Sequence, residues 1–138
     1  MRKILTLLFL ITFSATILGQ VTNESELIGK WKVEKIIEKP TNAQFKPLID
    51  AFERATFHFN ANKDFNITTP NKTELFTMMM TEVINGTKWQ FVKEKQLVRI
   101  GNQENRYTAM GILMKKENGN LYFHLEEGGL TFLMKKSK

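Results

Sequence analysis

The stretch at residues 55–69, ATFHFNANKDFNITT, contains two short runs in which apolar and polar side chains alternate. Phe57 and Phe59 mark the apolar positions of the first run, and Phe65 and Ile67 mark those of the second. Period-two alternation puts these rings on one face of each strand. The Ala-Asn-Lys segment between the runs offers an asparagine, a residue that tight turns favour. The stretch therefore predicts a β-hairpin with one buried, aromatic face.

The same alternation recurs on both sides of this hairpin. Further strands are predicted at 27–38, 87–92, 96–100, 107–115, 121–126 and 130–135. In the second half the strands recur every eight to twelve residues or so, a spacing that is typical of sandwiches and barrels. Because the turns between them are short, neighbouring strands are expected to be antiparallel. In the first of these strands Lys35 falls on the apolar phase, which indicates either a bulge or an inward charge.

A change of period predicts one short helix, at 45–52, between the first two strands of the barrel. Its apolar side chains recur at intervals of three and four residues. They are Phe45, Leu48, Ile49 and Phe52. Pro47 is compatible with this helix only in its first turn. A helix this short needs a surface to pack on, and the open end of the barrel is the expected place.

Residues 73–84 fit two structures. Helical spacing is shown by Leu75, Met78, Met79 and Val83, whereas strand spacing is shown by Phe76, Met78, Met80 and Ile84. Methionine and leucine are residues that favour a helix. The flanking threonines and the surrounding β pattern favour a strand. The Asn-Gly pair that follows, at 85–86, would then form a hairpin turn.

The N-terminus resembles a secretory signal. Arg2 and Lys3 precede an apolar run that is shorter than the 20 or so residues of a membrane span. Gly19, before the polar Gln20, is the expected cleavage point. We therefore predict a signal peptide at 1–19 and a secreted or periplasmic protein, an uncleaved anchor being the alternative.

The remainder, 20–138, has room for one domain. It contains no cysteine, so its stability must come from its core and not from disulfides. Without Arg2 and Lys3 the net charge of +6 becomes +4, and the basic side chains are scattered. This pattern does not indicate nucleic-acid binding. We expect a monomer with no further membrane span.

Gly29 and Trp31, just after the signal, resemble the Gly-x-Trp motif that opens lipocalin-like domains of exported bacterial proteins. The hairpin at 57–65 is similar to one in the same domains. The resemblance implies an antiparallel up-and-down β-barrel of about eight to nine strands that holds a ligand. The arginine that packs on the tryptophan in lipocalins is missing, and Lys135 and Lys136 are the nearest substitutes. The helix between the first two strands is closer to the order of fatty-acid-binding proteins.

The expected function is binding of a small hydrophobic or amphipathic ligand inside the barrel. The ligand-lining side chains would be the inward apolar ones, with two cations to meet a carboxylate. These are Phe57, Phe59, Phe65, Trp89, Phe91, Met110, Met114, Phe123, Phe132, Lys35 and Arg99. The same side chains could instead fill the barrel, which would then act through its surface as an interaction or inhibitor module.

No constellation in the sequence indicates catalysis. Outside the signal the only serines are Ser25 and Ser137, near the two ends of the chain. His58 and His124 fall on the polar phase of their strands, where solvent-facing histidines are common. We therefore expect no enzyme, no metal site and no cofactor; a hydrolase that uses glutamates is a distant alternative.

Overall fold

Nine strands form the framework of the protein in the computed structural model, which describes residues 18–137. They are β1 (Leu18–Gly19), β2 (Gly29–Glu38), β3 (Thr56–Phe59), β4 (Phe65–Thr68), β5 (Lys88–Val92), β6 (Leu97–Gly101), β7 (Met110–Glu117), β8 (Asn120–Leu125) and β9 (Leu130–Lys136). Two helices, α1 (Lys46–Phe52) and α2 (Glu74–Met79), lie in the connections β2–β3 and β4–β5. Most of the predicted signal lies outside the described residues, and its last two residues form β1.

The strands form one antiparallel sheet that almost closes on itself. Its order is β4-β3-β2-β9-β8-β7-β6-β5, and β1 pairs with Lys116 and Glu117 at the end of β7. Between β4 and β5 the structure has a single bridge, Asp64 to Lys88, in place of a full ladder. The Trp89 N–H also donates to the Lys63 carbonyl across this seam, at 2.9 Å. The predicted all-β, up-and-down barrel with a helix between its first two strands is confirmed.

The hairpin predicted from 55–69 is confirmed as β3 and β4. Phe57 pairs with Ile67 and Phe59 pairs with Phe65. All four side chains are buried, because the period-two pattern turns them towards the interior.

A bulge in β2 explains the position of Lys35. The register against β9 shifts between Val33 and Lys35, and again between Ile36 and Glu38. The shift leaves Lys35 exposed. Of the two alternatives, the bulge is correct, and the expectation that Lys35 faces a ligand inside the barrel is not supported.

Helix α1 forms as its periodicity predicts. The Asn42 side chain accepts a hydrogen bond from the Gln44 N–H at 3.0 Å and so starts the preceding 3₁₀ turn, Ala43–Phe45. Pro47 occupies the first turn of α1, where a missing N–H costs nothing. Ile49 and Phe52 are buried against the barrel.

Residues 73–84 are helical, so the strand favoured from the sequence is wrong. The Thr73 hydroxyl accepts a hydrogen bond from the Phe76 N–H at 3.3 Å, which caps α2. The helix continues into a π-helical turn, Met80–Ile84, in which the Asn85 N–H reaches the Met80 carbonyl at 2.8 Å. Gly86, with φ of +76°, ends this helical segment and does not turn a hairpin.

A side-chain amide ties the N-terminal segment to the barrel. Gln96 accepts a hydrogen bond from the Val21 N–H at 2.8 Å and donates one to the Val21 carbonyl at 3.1 Å. The amide thus forms the two hydrogen bonds that a neighbouring strand would otherwise form with Val21. The Val21 side chain is buried in the core. Among the residues that the structure describes, no helix is long and apolar enough to cross a membrane.

Candidate functional site at the mouth of the barrel

Aromatic rings fill the interior of the barrel. Phe57 lies at the centre, with its ring centroid 5.6 Å from that of Phe123 and 6.0 Å from that of Phe132. Phe59 packs edge-on against Trp89 at 5.4 Å. Such distances are those of rings in direct contact. The volume in which the sequence analysis places a ligand is therefore occupied by the protein's own side chains.

Most of the predicted lining residues belong to this packed core. Those that are buried in it are Phe57, Phe59, Phe65, Trp89, Met110, Met114, Phe123 and Phe132, and Phe91 is half-buried against it. Met110 differs from the rest because it also lines a pocket at one end of the barrel. The candidate site is therefore at this end of the barrel and not in the interior, where the sequence predicted it.

The opposite end, which we call the closed end, is sealed around Trp31. The indole N–H donates to the Leu27 carbonyl at 2.9 Å, and Leu27 itself is fully buried. The Lys136 ammonium lies 5.5 Å from the centroid of the Trp31 ring. Gly29, at φ of +131°, allows the entry into β2 and lets Lys136 approach, as its Cα lacks a side chain.

The other end has an apolar pocket of about 230 Å³, which we call the mouth pocket. One wall comes from α1 and the turn before it, through Phe45, Leu48 and Phe52. Met79 and Val83, from α2 and its π-helical turn, form a second wall. The described residues thus enclose an open-ended apolar space between two helices.

The ends of three strands complete the mouth pocket. Met110 of β7, Leu125 of β8 and Leu130 of β9 form its floor, and the β8–β9 turn contributes Glu127 and Gly128. Glu127 is the single charged residue among those that line it. Its Oε2 atom accepts a hydrogen bond from the Gly111 N–H at 3.3 Å. The carboxylate is therefore held at the rim, where the β7–β8 ladder ends.

Hydrogen bonds hold the two helices in place around the pocket. The Thr73 hydroxyl donates to the Pro47 carbonyl at 2.9 Å, and this bond joins the start of α2 to α1. The buried Thr69 hydroxyl donates to the Ala51 carbonyl at 2.6 Å, and the Asn71 amide donates to the Asp50 carbonyl at 3.1 Å. Both connections are thus anchored by side chains, so the gap between the helices is a feature of the folded structure.

Large apolar side chains remain exposed at the mouth. Phe45 retains 42% of its accessible surface and Val83 retains 38%. Full burial of an aromatic or aliphatic side chain is favourable by about 1.5–3 kcal/mol relative to its exposed state. A ligand that covers these exposed side chains would gain part of that free energy on binding.

The predicted cations lie elsewhere. Arg99 is half-buried on the outer face of the sheet, in a groove that we call the outer groove and that Lys95, Tyr107 and Glu126 also line. Its Nε atom is buried with no hydrogen-bond partner among the described residues. The expectation that Arg99 faces the barrel interior is therefore not supported, because Arg99 alternates with Val98 and Ile100, whose side chains are fully buried in the core.

The two histidines are engaged in local contacts on the outer face. His58 Nε2 lies 2.7 Å from the Thr68 hydroxyl, and His124 Nδ1 lies 2.7 Å from the Thr131 hydroxyl. Burial lowers the pKa of His58, and the nearby Lys30 lowers it further. Within residues 18–137 no group of three His, Asp or Glu side chains is placed to bind a metal.

Much of the mouth pocket was not predicted from the sequence. The periodicity placed Phe45 and Leu48 on a capping helix, but Met79 and Val83 could join them only if 73–84 were taken as a helix. No pattern in the sequence indicated a role for Glu127 in a binding site. Comparison with protein-family models, with curated proteins and with solved structures finds no match to this chain.

Proposed function

We propose that this is an exported protein that binds a small apolar or amphipathic molecule through the mouth pocket. The observation that carries the proposal is the open apolar space between α1, α2 and the β8–β9 turn. Because the interior is filled, the mouth pocket offers an apolar group a place to leave water without displacing the core.

The size of the pocket indicates what part of a ligand it can accept. A volume of about 230 Å³ is below the 300–1,000 Å³ or so of sites that enclose a whole drug-sized molecule. It corresponds to roughly seven or eight groups of the size of a water molecule. An alkyl or compact ring segment fits, and each buried methylene contributes about 0.8 kcal/mol before the cost of association.

Displacement of a neutral fluorescent probe tests the proposal. Nile red, which brightens in apolar surroundings, is expected to bind the protein saturably and to be displaced by 1-decanol. Phe45→Ser should weaken binding several-fold because it removes a wall of the pocket. Ile37→Ser is the matched control, since Ile37 is similarly exposed (47%) but does not line the pocket. Equal weakening by both variants, or no saturable binding, would contradict the proposal.

The packed interior favours one further candidate, a barrel that acts through its surface. In that case Phe45, Met78 and Val83, all exposed, would contact an apolar side chain of a partner protein. This candidate predicts no saturable binding of small apolar molecules. The Nile red titration therefore separates the two.

A further inference from the structure

We propose that the mouth pocket selects amphiphiles whose polar end is a cation or a hydrogen-bond donor, and discriminates against carboxylates. This inference rests on the proposed function, because it concerns the ligand of the same site. It follows from the position and the sign of the one charged group at the rim.

Glu127 is placed to meet the polar end of a ligand. It lines the mouth pocket and also the outer groove, so its side chain stands where the two meet. The hydrogen bond from the Gly111 N–H restricts the carboxylate to the rim. If the apolar end of a ligand contacts Leu125 and Leu130, its polar end would lie beside the Glu127 carboxylate.

No cation lines the pocket to compensate this charge. The residues of the lining other than Glu127 are all uncharged. Lys95 and Arg99 line the outer groove, on the other side of Met110, which lines both spaces.

A second carboxylate adds to the negative potential beside the rim. The Glu126 side chain lies directly against the Cα of Gly111, the residue whose N–H binds Glu127. A carboxylate has acceptor atoms only, so it binds ammonium and hydroxyl groups and repels another carboxylate. Of the charged residues that line the two spaces, Glu127 alone lines the mouth pocket, whereas Lys95, Arg99 and Glu126 line only the outer groove.

Three ligands with the same alkyl chain test the selectivity: n-decylamine, 1-decanol and decanoate. At pH 7 the amine is a cation and the acid is an anion. Each would be titrated against the Nile red complex of the whole protein, below its micelle concentration and at low ionic strength. Glu127→Gln removes the charge at nearly constant shape. Glu94→Gln, in the exposed turn between β5 and β6, removes an equal charge away from the pocket.

The readout is the ratio of the decanoate and decylamine dissociation constants. An exposed ion pair contributes up to about 1 kcal/mol, so we expect Glu127→Gln to lower this ratio about five-fold while Glu94→Gln leaves it within two-fold or so. Added salt should reduce the difference. An unchanged ratio in Glu127→Gln, or an equal change in Glu94→Gln, would overturn the inference while leaving the proposed function intact. Failure of all three ligands to displace the probe would instead refute the proposed function.

Discussion

The two ends of the barrel use similar apolar side chains in opposite ways. At the closed end Trp31 has a hydrogen bond for its indole N–H, a cation over its ring and buried Leu27 beneath it. At the mouth, Phe45 and Val83 have one side on the protein and the other in water. The difference indicates that the closed end serves stability, whereas the mouth has apolar surface that a ligand could cover.

Removing one ring from each end should give the largest contrast. Phe59, which pairs with Gly29 at the closed end and packs on Trp89, represents that end: Phe59→Ala should cost about 3–5 kcal/mol of unfolding free energy, because it leaves a cavity. Phe45→Ala removes a ring that is already exposed, and should cost about 1 kcal/mol or less. Urea unfolding followed by circular dichroism measures both. Similar losses at the two positions would contradict the contrast between the ends.

A smaller effect is expected from the cation at the closed end. Lys136→Met keeps the aliphatic stem but removes the charge over Trp31 and the hydrogen bond that the ammonium donates to the Glu26 carbonyl at 3.1 Å, and should cost about 0.5–1 kcal/mol. Lys135→Met is the control, because Lys135 is exposed and pairs with Lys32 of β2 instead of Trp31. If both variants have the stability of the wild type, the contact contributes nothing to the seal.

The smallest effect should come from pH. Because the pKa of His58 is lowered from its ordinary value of 6.5, the unfolded chain binds more protons than the folded one just below that value. The unfolding free energy should therefore fall as the pH decreases from 7.5 to 5.5. His58→Gln should reduce this fall, which unfolding at the two pH values would show. An identical fall in both proteins would exclude His58 as its source.

The sequence predicted local features well, because their signals are local. Alternation at 55–69 defines a hairpin wherever it occurs, and the stripe from Phe45 to Phe52 defines a helix. Residues 73–84 fit both periods, and the decision depended on contacts that are distant in sequence, such as the bond from Thr73 to Pro47. The methionines and Leu75 favoured the helix, but the β pattern on both sides of the segment was given more weight.

The site was predicted less well, for a geometric reason. Alternation shows that Phe57 and Phe123 point inwards, but not that their rings meet at 5.6 Å. Whether inward side chains line a cavity or fill it depends on the radius and register of the closed sheet. The seal on Trp31 was nearer to the prediction, since Lys136 was one of two candidates for it.

Methionine methyl groups allow the most direct test of binding at the mouth. Met79 and Met110 line the mouth pocket, whereas Met134 is buried in the core and does not line it. In protein labelled with ¹³C at the methionine methyls, 1-decanol should shift the Met79 and Met110 signals saturably and leave the Met134 signal in place. Absence of saturable shifts at Met79 and Met110, or a larger shift at Met134, would contradict binding at the mouth.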